Sequence, residues 1–273
     1  MTGILAQLVA LTAYGNNYLA YDHVPADFYP GNSTFRFCRK VDFIEFHKPL
    51  FSKNLKETIV APAPPEWYKY LKKDGCRKLR LYFQGSNDQT GIKEYKRAGM
   101  LGGGGMWYIE AVYKGYSNFW SVRWQPGDPK AADQKVWTVS YGRTSTKQKV
   151  LNIQVNQDRV KEQLYNTLRE LTEFATKPNL ETWRKQFESA LAILESDEPN
   201  EQYYHKDLIP VNNYSITAKQ ILFAAGHAWA FGGMGSWNDL GFSNKEDNDL
   251  YEKLSGQLYY TIIEAVISAV NSY

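Results

Sequence analysis

The sequence predicts an α+β protein in which a mainly antiparallel β-sheet, a meander, from the N-terminal half packs with a C-terminal layer of about four α-helices. Residues 1–155 contain short stretches in which apolar and polar side chains alternate with a period of two, which is typical of strands. Residues 156–273 instead carry apolar residues three or four positions apart, the period of an amphipathic helix. Strands that are followed by helices, without strict alternation of the two, are typical of the α+β class.

Length and composition predict an ordinary folded chain. The 273 residues are 43% apolar and 22% charged, which suffices for a sizeable core and excludes disordered and fibrous classes. No long low-complexity linker divides the sequence. We therefore expect residues 1–273 to form a single compact α+β domain.

The charges are divided unevenly along the chain. Residues 1–155 hold 22 Lys and Arg against 12 Asp and Glu, a net charge of +10, and residues 156–273 hold 10 against 17, a net charge of −7. Two interpretations are open. The β-rich basic half and the helical acidic half attract each other within the fold, or the basic half faces an acidic partner.

The first elements are predicted from apolar runs and turn residues. Residues 4–13 are apolar at nearly every position, and their short length and the break after Gly15 favour a buried strand. The alternation from Phe35 to Phe46 predicts a second strand with a bulge near Ile44.

A short helix and a further strand are expected next. Pro65 suits the first turn of a helix and Gly75 suits the position just after its end. The strand follows at 77–85, where Leu79 and Leu81 alternate with polar and aromatic residues.

Residues 106–155 predict an antiparallel meander. Three runs alternate with a period of two, and glycine and proline turns separate them. The run at 149–155 is a weaker fourth strand.

Four helices are predicted after residue 156. The first begins with Asp158 as its N-cap, and the second occupies 179–196. The third runs from Ser215 to Phe231. The last starts at Ser243 with a capping-box pattern and continues to the end of the sequence.

The segment 215–242 joins an apolar helix to a glycine-rich turn and to the sequence Ser236-Trp237-Asn238-Asp239. After Phe231 we expect one of the glycines 232 and 233 to adopt the left-handed conformation, with a sharp turn at Gly235.

One interpretation of this segment is catalytic. His227, Ser236 and Asp239 include the residue types of a nucleophilic triad, so the protein is alternatively a hydrolase or transferase with its site around His227–Asp239. Ser236 does not lie in a G-x-S-x-G motif, and apolar residues surround His227. These observations favour a core histidine and a protein that is not an enzyme.

The leading interpretation is a non-catalytic intracellular binding protein. Trp237, Asn238 and Asp239 follow flexible glycines, and an exposed tryptophan there would suit the centre of an interface. We expect the partner to be another protein, in an accessory or immunity-like role.

Nucleic acid is the second possible ligand. Lys72, Arg77 and Arg80 lie among tyrosines in residues 68–82, a basic aromatic face that could bind phosphates and stack bases of a single strand. The isoelectric point of about 8.6 is below the value above about 9 that is typical of dedicated nucleic-acid-binding domains.

Metals, cofactors and membranes are not expected. The four histidines do not fall at metal-ligand spacing, and the two cysteines, Cys38 and Cys76, are typical of a reducing cytoplasm. The N-terminal apolar run is about eleven residues, too short to cross a bilayer.

Overall fold

The computed structural model describes residues 1–47, 56–86, 91–100 and 103–273. Over these residues the helices are α1 (Gly3–Tyr21), α2 (Phe28–Gly31), α3 (Pro64–Lys73), α4 (Glu94–Arg97), α5 (Gln157–Phe174), α6 (Glu181–Glu195), α7 (Ile216–His227) and α8 (Lys245–Val270). The strands are β1 (Cys38–His47), β2 (Lys56–Ala61), β3 (Lys78–Gln84), β4 (Met106–Val112), β5 (Ser117–Pro126) and β6 (Trp137–Gln148).

The strands form one six-stranded sheet in the order β2-β1-β6-β5-β4-β3. Strands β3 to β6 make an antiparallel meander, and β1 and β2 pair as an antiparallel hairpin. Strand β6 joins the two groups, because it also pairs in parallel with β1, with Val41 opposite Val139. The α+β class and the mostly antiparallel sheet are confirmed, but the sheet is mixed and is not purely a meander.

Two details of the β1 region refine the predicted strand. A register shift between Phe43 and Ile44 against β2 confirms the bulge. Phe35, predicted to begin the strand, ends a 3-10 turn instead, and the strand begins at Cys38.

Helix α1 shows that the strand predicted at 4–13 is wrong. The Thr2 side chain caps the helix by accepting a hydrogen bond from Leu5 N at 3.3 Å. Residues 5–17 of the helix are buried on all sides, so the sequence lacks the amphipathic period that would have revealed a helix. Gly15 lies inside the helix, where a Cβ atom would stand 2.4 Å from Leu79 Cδ1. The glycine therefore allows close packing on the sheet and does not break the chain.

The weak fourth strand predicted at 149–155 is also absent. The main chain of Leu151 is bonded to side chains, with its carbonyl oxygen 2.7 Å from the guanidinium of Arg80 and its N–H 3.1 Å from Glu110 Oε1. These contacts take the place of a neighbouring strand.

The four predicted C-terminal helices are present as α5 to α8, and four more in the N-terminal half bring the number to eight over the described residues. Two N-caps differ from the prediction. Asn156, not Asp158, caps α5 by accepting a hydrogen bond from Arg159 N at 3.0 Å. Asn244, not Ser243, caps α8 by accepting one from Glu246 N at 3.0 Å. In each case the asparagine side chain satisfies a free N–H of the first turn.

The third of these helices, α7, ends at His227 and not at Phe231. The Gln186 side chain donates to the main-chain carbonyls of His227 at 2.9 Å and Trp229 at 3.3 Å. It thus satisfies carbonyl groups that a longer helix would have bonded.

The helices cover one face of the sheet. Helices α1 and α3 pack on it, and the Trp67 ring of α3 stacks on Phe43 with centroids 4.2 Å apart. Helix α8 lies beside β3, and helices α5 to α8 pack against one another. Within the described ranges, no helix combines the length and the apolar character needed to traverse a lipid bilayer.

Candidate functional site

The loop 228–240 follows α7 and is anchored by Trp237, whose side chain is fully buried. The indole N–H of Trp237 donates to Ser255 Oγ at 2.8 Å, and the Tyr251 hydroxyl donates to the Trp237 carbonyl oxygen at 2.6 Å. The Phe187 ring meets the indole edge-on, with centroids 5.2 Å apart. Trp237 therefore fixes the loop in the helical core and is not an exposed anchor.

The polar side chains of the loop are bonded within it. Ser236 Oγ lies 2.6 Å from Asn238 Oδ1 and 3.0 Å from the Gly232 carbonyl oxygen. Asn238 Oδ1 also accepts a hydrogen bond from Gly232 N at 3.0 Å, and Asp239 Oδ2 accepts one from Gly235 N at 2.6 Å. These three side chains hold the shape of the loop.

The tip of the loop is Met234. Its side chain is fully exposed, with a relative exposure of 102%. The next residue, Gly235, has φ +86°, so the turn here needs a glycine. The glycines 232 and 233, one of which was predicted to be left-handed, do not have positive φ values.

His227 does not join the other members of the imagined triad. Over the described residues its imidazole makes no hydrogen bond with Ser236 or Asp239, and burial lowers its pKa. Because Ser236 and Asp239 are engaged in the loop, the structure does not bring a nucleophile, a base and an orienting acid together here.

Two shallow clefts adjoin the loop and share Gln186 and Trp229. The first, of about 540 Å³, also contacts His227, and the second, of about 470 Å³, contacts Trp183 and Met234. An exposed apolar side chain thus lies beside clefts with partly exposed tryptophan rings.

The structure separates the basic residues 72, 77 and 80. Lys72 forms an ion pair with Asp22 at 2.6 Å on the side of the sheet that the helices cover. Arg80 lies on the opposite face of β3, paired with the fully buried Glu110 at 2.7 Å. Arg77 is exposed and lies just before β3.

The tyrosines of the predicted basic aromatic face are divided in the same way. Tyr68 is buried against α1, where its hydroxyl donates to Leu11 O at 3.0 Å, and the Tyr70 hydroxyl contacts Glu45. Tyr82 instead points away from the helices. Residues 68–82 therefore do not form one surface.

The second candidate site is the face of the sheet opposite α1 and α3, which we call the open face. Tyr82, Tyr108 and Phe119 lie there on the neighbouring strands β3, β4 and β5, beside a cleft of about 330 Å³. Lys149 and Leu151 lie against this face, where the main chain of Leu151 bonds Arg80 and Glu110. The alternation in the sequence could have predicted this face, because the residues between the core positions of each strand point to the side away from the core.

A further cluster joins Ser33, His205 and Asp207, which no local pattern in the sequence connects. Ser33 Oγ lies 2.7 Å from His205 Nδ1 and contacts the Asp207 carboxylate, which also accepts a hydrogen bond from Ser33 N at 2.7 Å. Burial lowers the pKa of His205 to about 4. In a catalytic triad the histidine lies between serine and acid, but here the serine lies between them, so the cluster ties a turn to a loop.

No protein-family model, curated protein or solved structure matches this chain. Among the described residues, no group of three or more His, Cys, Asp or Glu side chains is arranged to hold a metal ion. Fold and site together define a mixed α+β protein with two separate candidate binding surfaces, the loop 228–240 and the open face.

Proposed function

We propose that this chain is a non-catalytic binding protein that recognises another protein through the loop 228–240. The observation that carries the proposal is Met234, whose apolar side chain is fully exposed at the tip of the loop. Large exposed apolar side chains beside clefts are common at protein interfaces. An accessory or neutralising partner protein fits this arrangement.

The loop 228–240 already has a fixed main-chain conformation without a partner. Trp237 is buried, and the side chains of Ser236, Asn238 and Asp239 hold the main chain of the loop. Because the loop is already ordered, binding costs less conformational entropy. A methionine side chain also adapts its shape to an apolar partner surface.

The alternative of a hydrolase or transferase stays a prediction. The hydrogen bonds of Ser236 and Asp239 within the loop, and the separate position of His227, favour binding over catalysis. An enzyme would need these groups released and brought together.

Site-specific photo-crosslinking tests the proposal. The variant Met234→p-benzoylphenylalanine is irradiated in cells that produce the protein, and Tyr21→p-benzoylphenylalanine is the control, since Tyr21 is exposed at the end of α1. We expect a discrete, protease-sensitive adduct at position 234 that is absent from the control. An excess of unlabelled native chain should suppress this adduct, whereas an excess of the Met234→Glu protein should not.

Two outcomes would contradict the proposal. The first is the absence of any adduct specific to position 234. The second is turnover of a small molecule that is lost in both Ser236→Ala and Asp239→Asn, which would favour the enzyme.

A further inference from the structure

The rings of the open face form a continuous aromatic surface. Tyr82 and Tyr108 are direct partners across β3 and β4, with centroids 6.2 Å apart and planes at 30°. The Phe119 ring on β5 meets the Tyr108 ring edge-on, with centroids 6.3 Å apart. Unlike the two tyrosines, Phe119 is buried. The two tyrosines are partly exposed, so their rings are accessible to a flat ligand.

The cleft beside the rings has polar lining residues and one side that is held by hydrogen bonds. Its other lining residues include Gln84, Thr144, Ser145 and Gln148, which offer hydrogen-bond donors and acceptors. Lys149 and Leu151 line one side of the cleft, and Arg80 and Glu110 hold Leu151 through its main chain.

The open face has a positive charge, because the charges in its ion pairs cancel and a lysine is left over. Among the described strand residues of this face, each acidic side chain has a basic partner, in the pairs Glu110–Arg80 at 2.7 Å, Glu57–Arg123 at 2.7 Å and Asp42–Lys40 at 2.5 Å. Lys149 is exposed and forms no ion pair with any described residue. Lys149 lines the cleft itself. The surplus charge therefore suits an anionic ligand.

We infer that the open face binds single-stranded nucleic acid, with bases stacked on Tyr82 and Tyr108 and phosphates near Lys149. A single strand offers both the unpaired flat bases that aromatic rings stack on and the phosphates that lysines attract. In a duplex the bases are already stacked inside the helix and cannot reach the rings. This site is separate from the loop 228–240 and goes beyond the proposed function.

Fluorescence anisotropy with labelled oligonucleotides tests the inference. Single-stranded DNA and RNA of about 12 nucleotides, a length within the range that such surfaces contact, are titrated with the native chain, and a duplex serves as comparison. We expect the single strands to bind and the duplex to bind more weakly, with affinity that falls as salt increases. Comparing DNA with RNA shows whether the 2′-hydroxyl contributes.

Ring variants separate stacking from other effects. Tyr108→Ala should weaken binding at least about fivefold, because it removes one stacking ring. Tyr108→Phe should bind as the native chain does, since it keeps the ring. Tyr21→Ala is the matched control, because Tyr21 is an exposed tyrosine outside the open face. Circular dichroism verifies that each variant is folded.

Lysine variants test the phosphate contacts. Lys149→Ala should lower the slope of log affinity against log salt by about one, the share of one phosphate contact. Lys73→Ala, an exposed lysine at the end of α3, should leave that slope unchanged.

Equal binding of duplex and single strand, or an unchanged affinity in Tyr108→Ala, would overturn the inference. So would a Tyr108→p-benzoylphenylalanine variant that crosslinks only to protein. The Met234→Glu variant should bind oligonucleotides as the native chain does, so a failure at one surface is distinguishable from a failure at the other.

Discussion

Asn16 and Asn271 bind the outer edge of strand β3 in the same way, at positions two residues apart along the strand. Asn16 accepts a hydrogen bond from Leu79 N at 2.7 Å and donates to Leu79 O at 2.9 Å. Asn271 makes the same pair of bonds with Leu81, at 2.7 and 2.9 Å. Both asparagines are buried, so the side-chain amides replace the strand that would otherwise pair there.

Removal of either asparagine should destabilise the fold. Asn271→Ala leaves the N–H and carbonyl of Leu81 without partners in a buried site, and we expect a loss of about 1–3 kcal/mol in the free energy of unfolding. Urea denaturation measures this loss. Asn152→Ala is the control, because Asn152 is exposed and bonds only Gln154 among the described residues.

The two asparagines together should also prevent association through β3. The double variant Asn16→Ala/Asn271→Ala presents a free strand edge, and sedimentation velocity should show more assembled species than the native chain at equal concentration. An unchanged distribution would mean that other contacts keep this edge closed.

The buried ion pair of the open face should matter far more than the exposed one. Glu110→Ala leaves the mostly buried Arg80 unpaired and frees Leu151 N, so we expect a loss of about 3–5 kcal/mol. Glu57→Ala breaks a pair with Arg123 on the same face, where both partners are exposed, and should cost at most about 1 kcal/mol. Urea denaturation measures both losses, and a similar fall in the denaturation midpoint for the two variants would contradict this prediction.

The loop 228–240 should show a separation of stability from binding. Trp237→Ala removes a fully buried ring and should cost about 3–5 kcal/mol. Met234→Ala changes a fully exposed side chain, and its unfolding free energy should stay within about 0.5 kcal/mol of the native value. Thermal denaturation of both variants is the measurement, and a large effect of Met234→Ala would show that the methionine has a structural role.

His205 should make stability depend on pH. Burial lowers its pKa to about 4, an effect that nearby Asp207 opposes, whereas an unfolded histidine has a pKa of about 6.5. Between these two values the unfolded chain binds more protons than the folded chain, so the free energy of unfolding falls as the pH falls from about 6.5 to 4. His205→Asn should flatten this dependence in urea titrations across the window, and His23→Asn, at an exposed position, should leave the curve unchanged.

Patterns that depend on one face of an element predicted the fold well. The alternation in β3 to β6 and the apolar spacing in α5 and α6 each reflect a single buried side, so the sequence reveals these elements. Residues 5–17 of helix α1 are buried all round and have no such period, so the sequence does not separate them from a strand. That residues 1–273 form a single domain stays a prediction.

Long-range contacts account for what the sequence did not predict at the sites. The parallel pairing of β1 with β6 and the contact of Ser33 with His205 join residues far apart in the chain. The division of Lys72 and Arg80 between opposite sides of β3 follows from the position of α3 over the sheet, which no local pattern contains. The sequence did not predict whether Trp237 is buried or exposed, because its burial depends on α8, which supplies the hydrogen-bond acceptor Ser255.

The position of β6 has a consequence for how the protein is made. The β1–β2 hairpin and the β3–β5 meander each form from neighbouring stretches of chain, and in the part of the chain that the structure describes β6 is the strand that connects them. During synthesis from the N-terminus, the inner edges of β1 and β5 lack a partner until the ribosome has released Gln148. We expect nascent chains that stop before Trp137 to aggregate through these two edges, so chaperone demand during translation should peak just before β6 emerges.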